Sequence, residues 1–531
     1  MSDYVTKSCI SSVLICLVST GCTTAEPGYI SNLVPLRVEQ ICPDPTSTIM
    51  PNSTIESLSD SDTSSIIRAY GGNAPVYLQG RHSFTRSYGG YVFGAYAWGY
   101  GPFPLSSDLA QLKISESGQF EWAWAFGGPN NDTCDAVILS EDDGYIFAGT
   151  TVPLKPPRIS GLGKGNLLLV KTNSDGSLRW HRSYALYSGS GSQNENSRLH
   201  GELDSIYQTS DGGYIVAGNT AKDYGSAYRH WDILVAKIDT EGGIQWIKAF
   251  GRDKRDQAST IIETQDGGYV LVGLTHPTGI FETDIILIKL SAKGDITWSR
   301  IFSGLGQDEG FDIVETQDGE LVIGGWTRPS NWDKAGHDLL LMKTDKFGSP
   351  LWSKSFDSTE YAKNEFTAQD TSYFFEYMGK GKAHRNSYMS FSLTQTKDEG
   401  YAITALKSAV DNVVVLKTDS EGDLEWARSK RVHENGWGYW QSGSDHSGLN
   451  IVQSQDGQYT VAGNIRSPDR AQSLFTWQFY DATTANACTH EFDVKSLEPN
   501  FKMETPLLHI RNLYPVSLSE PEFIQTKISI K

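Results

Sequence analysis

At 531 residues, with 52 glycines and 11 % aromatic side chains, the chain is long enough for one large all-β domain with extensions. Its formal charge of −18 argues against a general binder of nucleic acid or of an anionic membrane surface. Beyond the N-terminal segment, no run of about eighteen apolar residues is present to cross a bilayer as a helix.

Residues 1–22, MSDYVTKSCISSVLICLVSTGC, carry an apolar stretch of about a dozen residues after Lys7 that ends in small side chains, the pattern of an export signal. The segment VSTGC resembles a lipoprotein signal, which implies lipidation of Cys22 and a membrane contact through that anchor alone. Ser19 stands where such signals usually carry Leu, and Asp3 is unusual in the leading segment. The alternative is an ordinary Cys22 and cleavage elsewhere. Residues 23–78 are rich in Ser, Thr, Pro and Asp and read as a tether, because they hold too little apolar surface to order themselves. Asp60 and Asp62 lack a ligand-spaced loop and read as solvated carboxylates. With Cys22 lipidated, Cys42, Cys134 and Cys488 allow one disulfide and one free thiol, in no readable pairing.

From residue 79 to 496 the chain repeats one unit, seen most clearly in Leu203–Gly251 as two β-hairpins in succession. The turns SDGG and DTEGG supply the Asp and Gly that positive φ requires. An Asp stands three residues before the strand-opening Tyr or Leu at 142, 211, 266, 318, 398 and 456. A Lys is followed by Gly five residues on and Trp four after that, at Lys113/Gly118/Trp122, Lys171/Gly176/Trp180, Lys237/Gly242/Trp246, Lys289/Gly294/Trp298, Lys343/Gly348/Trp352 and Lys417/Gly422/Trp426. Seven copies of a four-stranded unit predict an all-β fold, a seven-bladed β-propeller of four-stranded antiparallel blades. Apolar runs such as Ile233–Ala236 and Ile285–Ile288 fit strands covered on both faces. A Trp and a Lys held at one register in six units read as structural, the Trp as packing at blade junctions.

The consensus DGGYIVAG followed by D-I-L-V-x-K-x-D-x-x-G-x-x-x-W resembles the repeats of a broad group of secreted bacterial and archaeal propeller proteins. Its ending is similar to the tryptophan-docking repeats of quinoprotein-type propellers. The resemblance implies a fold and transfers no catalytic residue. Outside the repeats, 497–531 form a C-terminal extension whose FIQTKISIK is one candidate for a ring-closing strand. IIRAYGG near Ile66 is the other.

In such a ring the A–B and C–D turns emerge on one face and the B–C and D–A connections on the other. Every long insertion falls in the second set, so one face is plain and one elaborated. The elaborated loops hold most of the eleven histidines together with Arg and aromatic side chains, a composition suited to a polar or anionic glycan. One expectation is a uronate polysaccharide lyase, which needs a group to neutralise the carboxylate and others to move protons. Its architecture is similar to ulvan-lyase-type propellers by fold analogy. His200 or His230 is placed as base, Tyr228 as acid and Arg229 as neutraliser, with Arg198, Tyr224, His276, Trp332, His337, Trp437, Tyr439 and Trp440 contacting substrate. The competing expectation is an exported surface lipoprotein that captures glycan or a partner protein without catalysis. Arg252–Asp256 reads as a solvated charge run. No cofactor or catalytic metal is required by any motif, and a structural divalent cation is compatible with the sequence.

Overall fold

In the computed structural model the described residues are 34–36, 65–71 and 76–77; 83–480 apart from 99–105, 129, 153–163, 189–197, 222–230, 253–254, 278–281, 305, 329–337, 358–387, 408–411, 432–448 and 467–471; and 490–491, 495–497, 502–504, 509–512, 514–518 and 524–528. All regular structure among them is antiparallel β-strand, arranged in six sheets.

The unit begins in local sequence. Arg198–Gln208, Tyr214–Ala221, Trp231–Ile238 and Ile244–Gly251 pair in succession as a meander. Its first turn places Gly212 at φ 81° and its second places Gly242 at φ 88°, a region that a residue with a Cβ enters at a cost of about 1 kcal/mol. Trp231–Ile238 is buried along its whole length, as a continuous apolar run demands. The largest sheet, of eleven strands, holds two such meanders joined by a two-residue ladder, Leu186↔Leu199 and Tyr187↔Arg198.

The first strands of successive meanders touch in chain order. Phe84–Ser87 meets Ala136–Leu139, which meets Arg198–Gln208. Asp256–Glu263, Gln307–Glu315, Tyr388–Gln395 and Asn450–Gln453 follow, and the last touches Phe84–Ser87 again. The apolar core is divided the same way, each cluster lying between two neighbouring meanders. Ile215, Val235 and Phe250 pack on Leu271 and Ile288, and Ala462 and Leu474 of the last meander pack with Tyr91, Phe93 and Leu112 of the first.

The repeated Asp and Lys are partners. Lys171–Asp142, Lys237–Asp211, Lys289–Asp266 and Lys417–Asp398 are ion pairs of 2.5, 2.9, 2.7 and 2.9 Å that tie the third strand of a meander to its first turn. The other two repeated Lys pair elsewhere: Lys343 with Glu320 at 2.8 Å, although its unit keeps Asp318, and Lys113 with Glu121 at 3.2 Å. Between meanders, each repeated Trp from 122 to 352 lies against the positive-φ Gly of the following unit. Trp122, Trp246, Trp352 and Trp426 also pack on that unit's strand-opening Tyr at 145, 269, 401 and 459. The Tyr hydroxyls reach back, Tyr145 to Ser87 Oγ at 2.5 Å and Tyr214 to Ser140 Oγ at 2.9 Å, and Thr460 donates to Tyr91 at 2.8 Å across the first and last meanders.

The fourth strand of the last meander is Ser65–Gly71, paired with Gln472–Phe479, and Val34–Leu36 lies outside it. Both stretches fall in the segment that composition marks as a tether; IIRAYGG takes the closing position. FIQTKISIK does not. Residues 490–528 run backwards around the outside, adding short strands to the fourth strand of each of the six preceding meanders: His490–Glu491 on Leu424–Arg431, Lys495–Leu497 on Pro350–Asp357, Lys502–Glu504 on Ile296–Ser303, His509–Asn512 on Ile244–Gly251, Tyr514–Leu518 on Leu178–Tyr187 and Ile524–Ile528 on Phe120–Gly127. The four-stranded unit expected from the repeat therefore gains a fifth strand.

Candidate functional site

The tight turns all leave one end of the strands. At the other end the long connections depart from ladder rungs such as Thr151↔Asn166, Ala221↔Trp231, Thr275↔Asp284 and Thr327↔Asp338. This end carries the candidate site. Tyr224, Tyr228, Arg229, His230, Trp332, His337, Trp437, Tyr439 and Trp440 lie outside the described residues, as does Cys22. Arg198, His200 and His276 lie within them.

His200 is buried, its ring edge-on to Trp231 at 5.5 Å. The Gly165 N–H donates to Nδ1 at 2.7 Å, so Nε2 carries the proton and donates to Glu202 Oε1 at 2.6 Å. A general base needs a ring nitrogen with a free lone pair facing substrate. Both nitrogens of His200 are engaged, so the expected base is a tie between two meanders. Arg198 does similar work: its guanidinium donates to Asn166 Oδ1 at 2.7 Å and to the Lys164 carbonyl at 3.3 Å, and Lys164 Nζ donates to the Arg198 carbonyl at 2.6 Å. His276 is buried with its backbone N–H on the Arg255 carbonyl at 3.0 Å. Burial, reinforced by the Arg255 charge, holds its imidazole below the usual range and hence neutral near pH 7.

Of the Arg252–Asp256 stretch, residues 253–254 lie outside the described residues, and Arg252 and Asp256 are tied to one another rather than solvated, which corrects the reading at those two positions. Asp256 is fully buried, accepts the Arg252 backbone N–H at 2.6 Å and the Thr275 hydroxyl, and meets the Arg252 guanidinium at 3.5 Å. Asp132 and Asp308 repeat the device, accepting the N–H of Gly128 at 3.2 Å and of Gly304 at 2.7 Å. In each case a Phe stands six residues before the Asp, at 126, 250 and 302, a spacing legible in the sequence and overlooked there.

Burial, opposed by the Thr327 hydroxyl and the Gly304 N–H and reinforced by Asp284, pushes the Asp308 carboxyl up to about 6. A folded value above the unfolded one contributes stability that is complete below about pH 4 and lost as pH climbs through about 6. Wild type is therefore expected to gain roughly 1.4 kcal/mol relative to Asp308→Asn on going from about pH 7.5 to about pH 5. Urea midpoints at the two pH values check this; equal slopes for both proteins refute it.

On the adjacent first strands, burial drives the Asp135 carboxyl well above the ordinary range, with Asp204 and Glu202 adding negative charge beside it. Asp204 accepts from Asn219 Nδ2 at 2.5 Å, and Asn219 Oδ1 accepts the Ala258 N–H of the following meander at 3.0 Å. No group of three or more His, Cys, Asp or Glu among the described residues is arranged to hold a metal ion.

The plain end holds contacts that the sequence reading missed. Gln208, Glu263, Glu315 and Gln453 accept the first turn N–H of the preceding meander, at Glu141, Ser210, Gln265 and Lys397, with distances of 2.9, 2.6, 2.8 and 3.0 Å. Their signal is an acid or amide three residues before the turn Asp in the same repeat. Two residues after the repeated Trp, Arg182, Lys248, Arg300 and Arg428 lie over the Trp ring of their own strand, and Lys248 also reaches Asp295 of the next meander at 2.9 Å.

No model of a known protein family matches the chain, and no curated protein matches it. Among solved structures, similarity is found to a protein of unknown function from Dyadobacter fermentans, at 11 % identity and a TM-score of 0.38 over 76 % of this chain and 97 % of that one. It is found also to an exo-inulinase from Aspergillus awamori, at 9 % and 0.30 over 81 % and 96 %. A β-fructofuranosidase of Bombyx mori is similar at 10 % and 0.31 over 83 % and 93 %. At these scores none of the three bears on architecture or activity, which rest on the strand pairings and the residues themselves.

Proposed function

We propose that this chain is a seven-bladed β-propeller, exported and anchored through Cys22, that captures a glycan on its elaborated face. One observation carries the reading: the tight turns leave one end of the strands, and the long connections within the meanders and between successive ones depart from the other. A rigid ring with most of its variable repeat connections at one end is a recognition surface. The aromatic side chains of those connections, Trp332, Trp437, Tyr439 and Trp440 among them, suit stacking on sugar rings.

Capture is favoured over cleavage because His200 and Arg198 are occupied in holding two meanders together and His276 is buried against the Arg255 carbonyl of its own meander. The lyase form of the reading then rests on Tyr228, Arg229 and His230 of a single connection. The test is titration of the purified protein with a panel of neutral and uronic-acid polysaccharides, with ultraviolet absorbance followed for unsaturated ends. Binding to at least one polymer without new absorbance is expected, weakened about tenfold by Trp437→Ala or Trp440→Ala, the loss of about 1.4 kcal/mol. Absorbance that rises and is abolished by His230→Ala would replace capture by elimination. Absence of binding across the panel would remove glycan as the ligand.

A further inference from the structure

The backward course of residues 490–528 covers the outer edge of six meanders, and Val34–Leu36 covers the edge of the remaining one. An uncovered strand edge is a template for another chain. The ladders that cover these edges lengthen along the tail: two residue pairs on Leu424–Arg431, three on each of the next two strands, four on Ile244–Gly251 and five on each of the last two. The ring itself is closed independently of the tail, by Ser65–Gly71 on Gln472–Phe479.

The strand under the terminal ladder differs from the others. Of the six strands that the tail covers, Phe120–Gly127 (FEWAWAFG) is the one without Lys or Arg; where its counterparts place Arg182, Lys248, Arg300, Lys354 or Arg428, it has Trp124. Cationic side chains on an edge discourage strand addition, and an apolar, nearly uncharged edge invites it. The segment matched to this edge is Ile524–Ile528, in the register Ile524↔Gly127 to Ile528↔Ala123.

We propose that the tail is an exchangeable edge guard. When its terminal strand lifts, the Phe120–Gly127 edge takes residues 524–528 of a second copy, which re-forms the same ladder between chains and links copies through exchanged tails. The occupant is a second copy because that strand already matches this edge in length and register, so concentration decides between pairing within and between chains.

The test uses the full chain with Ala125→Cys and Thr526→Cys. These residues are directly opposed, and opposed residues of antiparallel strands lie about 4.5–5.5 Å apart, within reach of a disulfide. Isotopically labelled and unlabelled copies are mixed, concentrated and warmed, then sized and oxidised. Dimers and larger species are expected, with at least a third of their 125–526 disulfides joining a labelled to an unlabelled copy. Protein oxidised before mixing is expected to stay monomeric. The proposal is overturned if the mixture stays monomeric, if the pre-oxidised protein associates equally, or if all such disulfides in the oligomers lie within one copy. Should the double variant not fold, hydrogen exchange of the wild type decides: amides of 524–528 exchanging at least tenfold faster than those of Tyr214–Ala221 support exchange of the tail, and equal protection overturns it.

Discussion

Alanine at Gly294 is expected to destabilise the ring by several times as much as alanine at Gly267, although the two glycines share one backbone conformation. Both stand in turns of the same meander, at φ 74° and 75°, so each substitution carries the same penalty of about 1 kcal/mol for a Cβ in the left-handed region. Around Gly267 nothing lies within 4 Å of the new Cβ, whereas at Gly294 the Trp246 ring would be 2.7 Å away. The partly buried indole, which packs on Tyr269, would have to shift as a rigid ring, and overpacking of this kind adds about 1–3 kcal/mol. Urea-unfolding midpoints for the two single variants measure the difference directly, and equal losses would show that the Trp–Gly contact between neighbouring units is dispensable. The comparison separates what the repeat needs for its turns from what it needs for its joints.

The Asp–Lys pair is expected to respond unequally to removal of its two halves. Lys237 is almost entirely buried, while half of the Asp211 side chain faces solvent. Asp211→Ala leaves the ammonium with the Ile238 carbonyl at 3.4 Å and no counter-charge in that pair, at an expected loss of about 2–4 kcal/mol. Lys237→Met removes the buried charge and frees a carboxylate that water can solvate, for a loss within about 1 kcal/mol. The double variant should recover most of the stability that Asp211→Ala loses. Equal losses from the two single variants, without recovery in the double, would assign the pair no role beyond packing.

Acid sensitivity follows from the same contacts. Partial burial raises the Asp211 carboxyl, but the Thr209 hydroxyl, the Lys237 ammonium and the Gly213 N–H outweigh it and hold it down at about 2. Asp266 is held at about 2 against burial by Lys289, Thr264 and Gly268. With folded values below the unfolded one, their stabilisation is present above about pH 4 and lost as pH falls toward about 2. Asp142 and Asp398 shift in the same direction, so the repeat multiplies the effect. Stability should fall steeply in that window, and less steeply in the Asp211→Ala/Lys237→Met double variant.

What the sequence made legible is what recurs. The Asp, Lys, Gly and Trp registers announced four-stranded antiparallel units because the same geometric demand, a positive φ beside an indole or a buried ammonium beside a turn, is met at the same spacing each time. The acceptors at Gln208, Glu263, Glu315 and Gln453 recur as well, but they act between units, and a pattern read within one unit does not show its neighbour. The tail was opaque for a different reason. Strands of two to five residues that each borrow an existing edge need neither period nor turn chemistry of their own, so Lys502–Glu504 looks like any polar stretch. The dilute composition around Ser65–Gly71 likewise concealed a strand whose partner lies elsewhere in the chain. His200 shows the limit at the site: a His between an Arg and a Glu reads as reactive until Gly165 and Glu202 are seen to occupy its ring.

The closing strand also sets a clock. Ser65–Gly71 leaves the ribosome about 400 residues before its partner Gln472–Phe479, and at about 5–20 residues per second that interval is roughly 20–80 s. Each hairpin between them forms from neighbours within a few residues of one another, so local order accumulates while the earliest strand stays single. Its ladder forms last within the ring, from the two most distant parts of the repeat region, and the entropy of joining them is recovered only then. A refolding experiment should therefore show early burial of the tryptophans in the middle units, at Trp246 and Trp298, and a separate slow phase in which the amides of Ser65–Gly71 and Gln472–Phe479 become protected together.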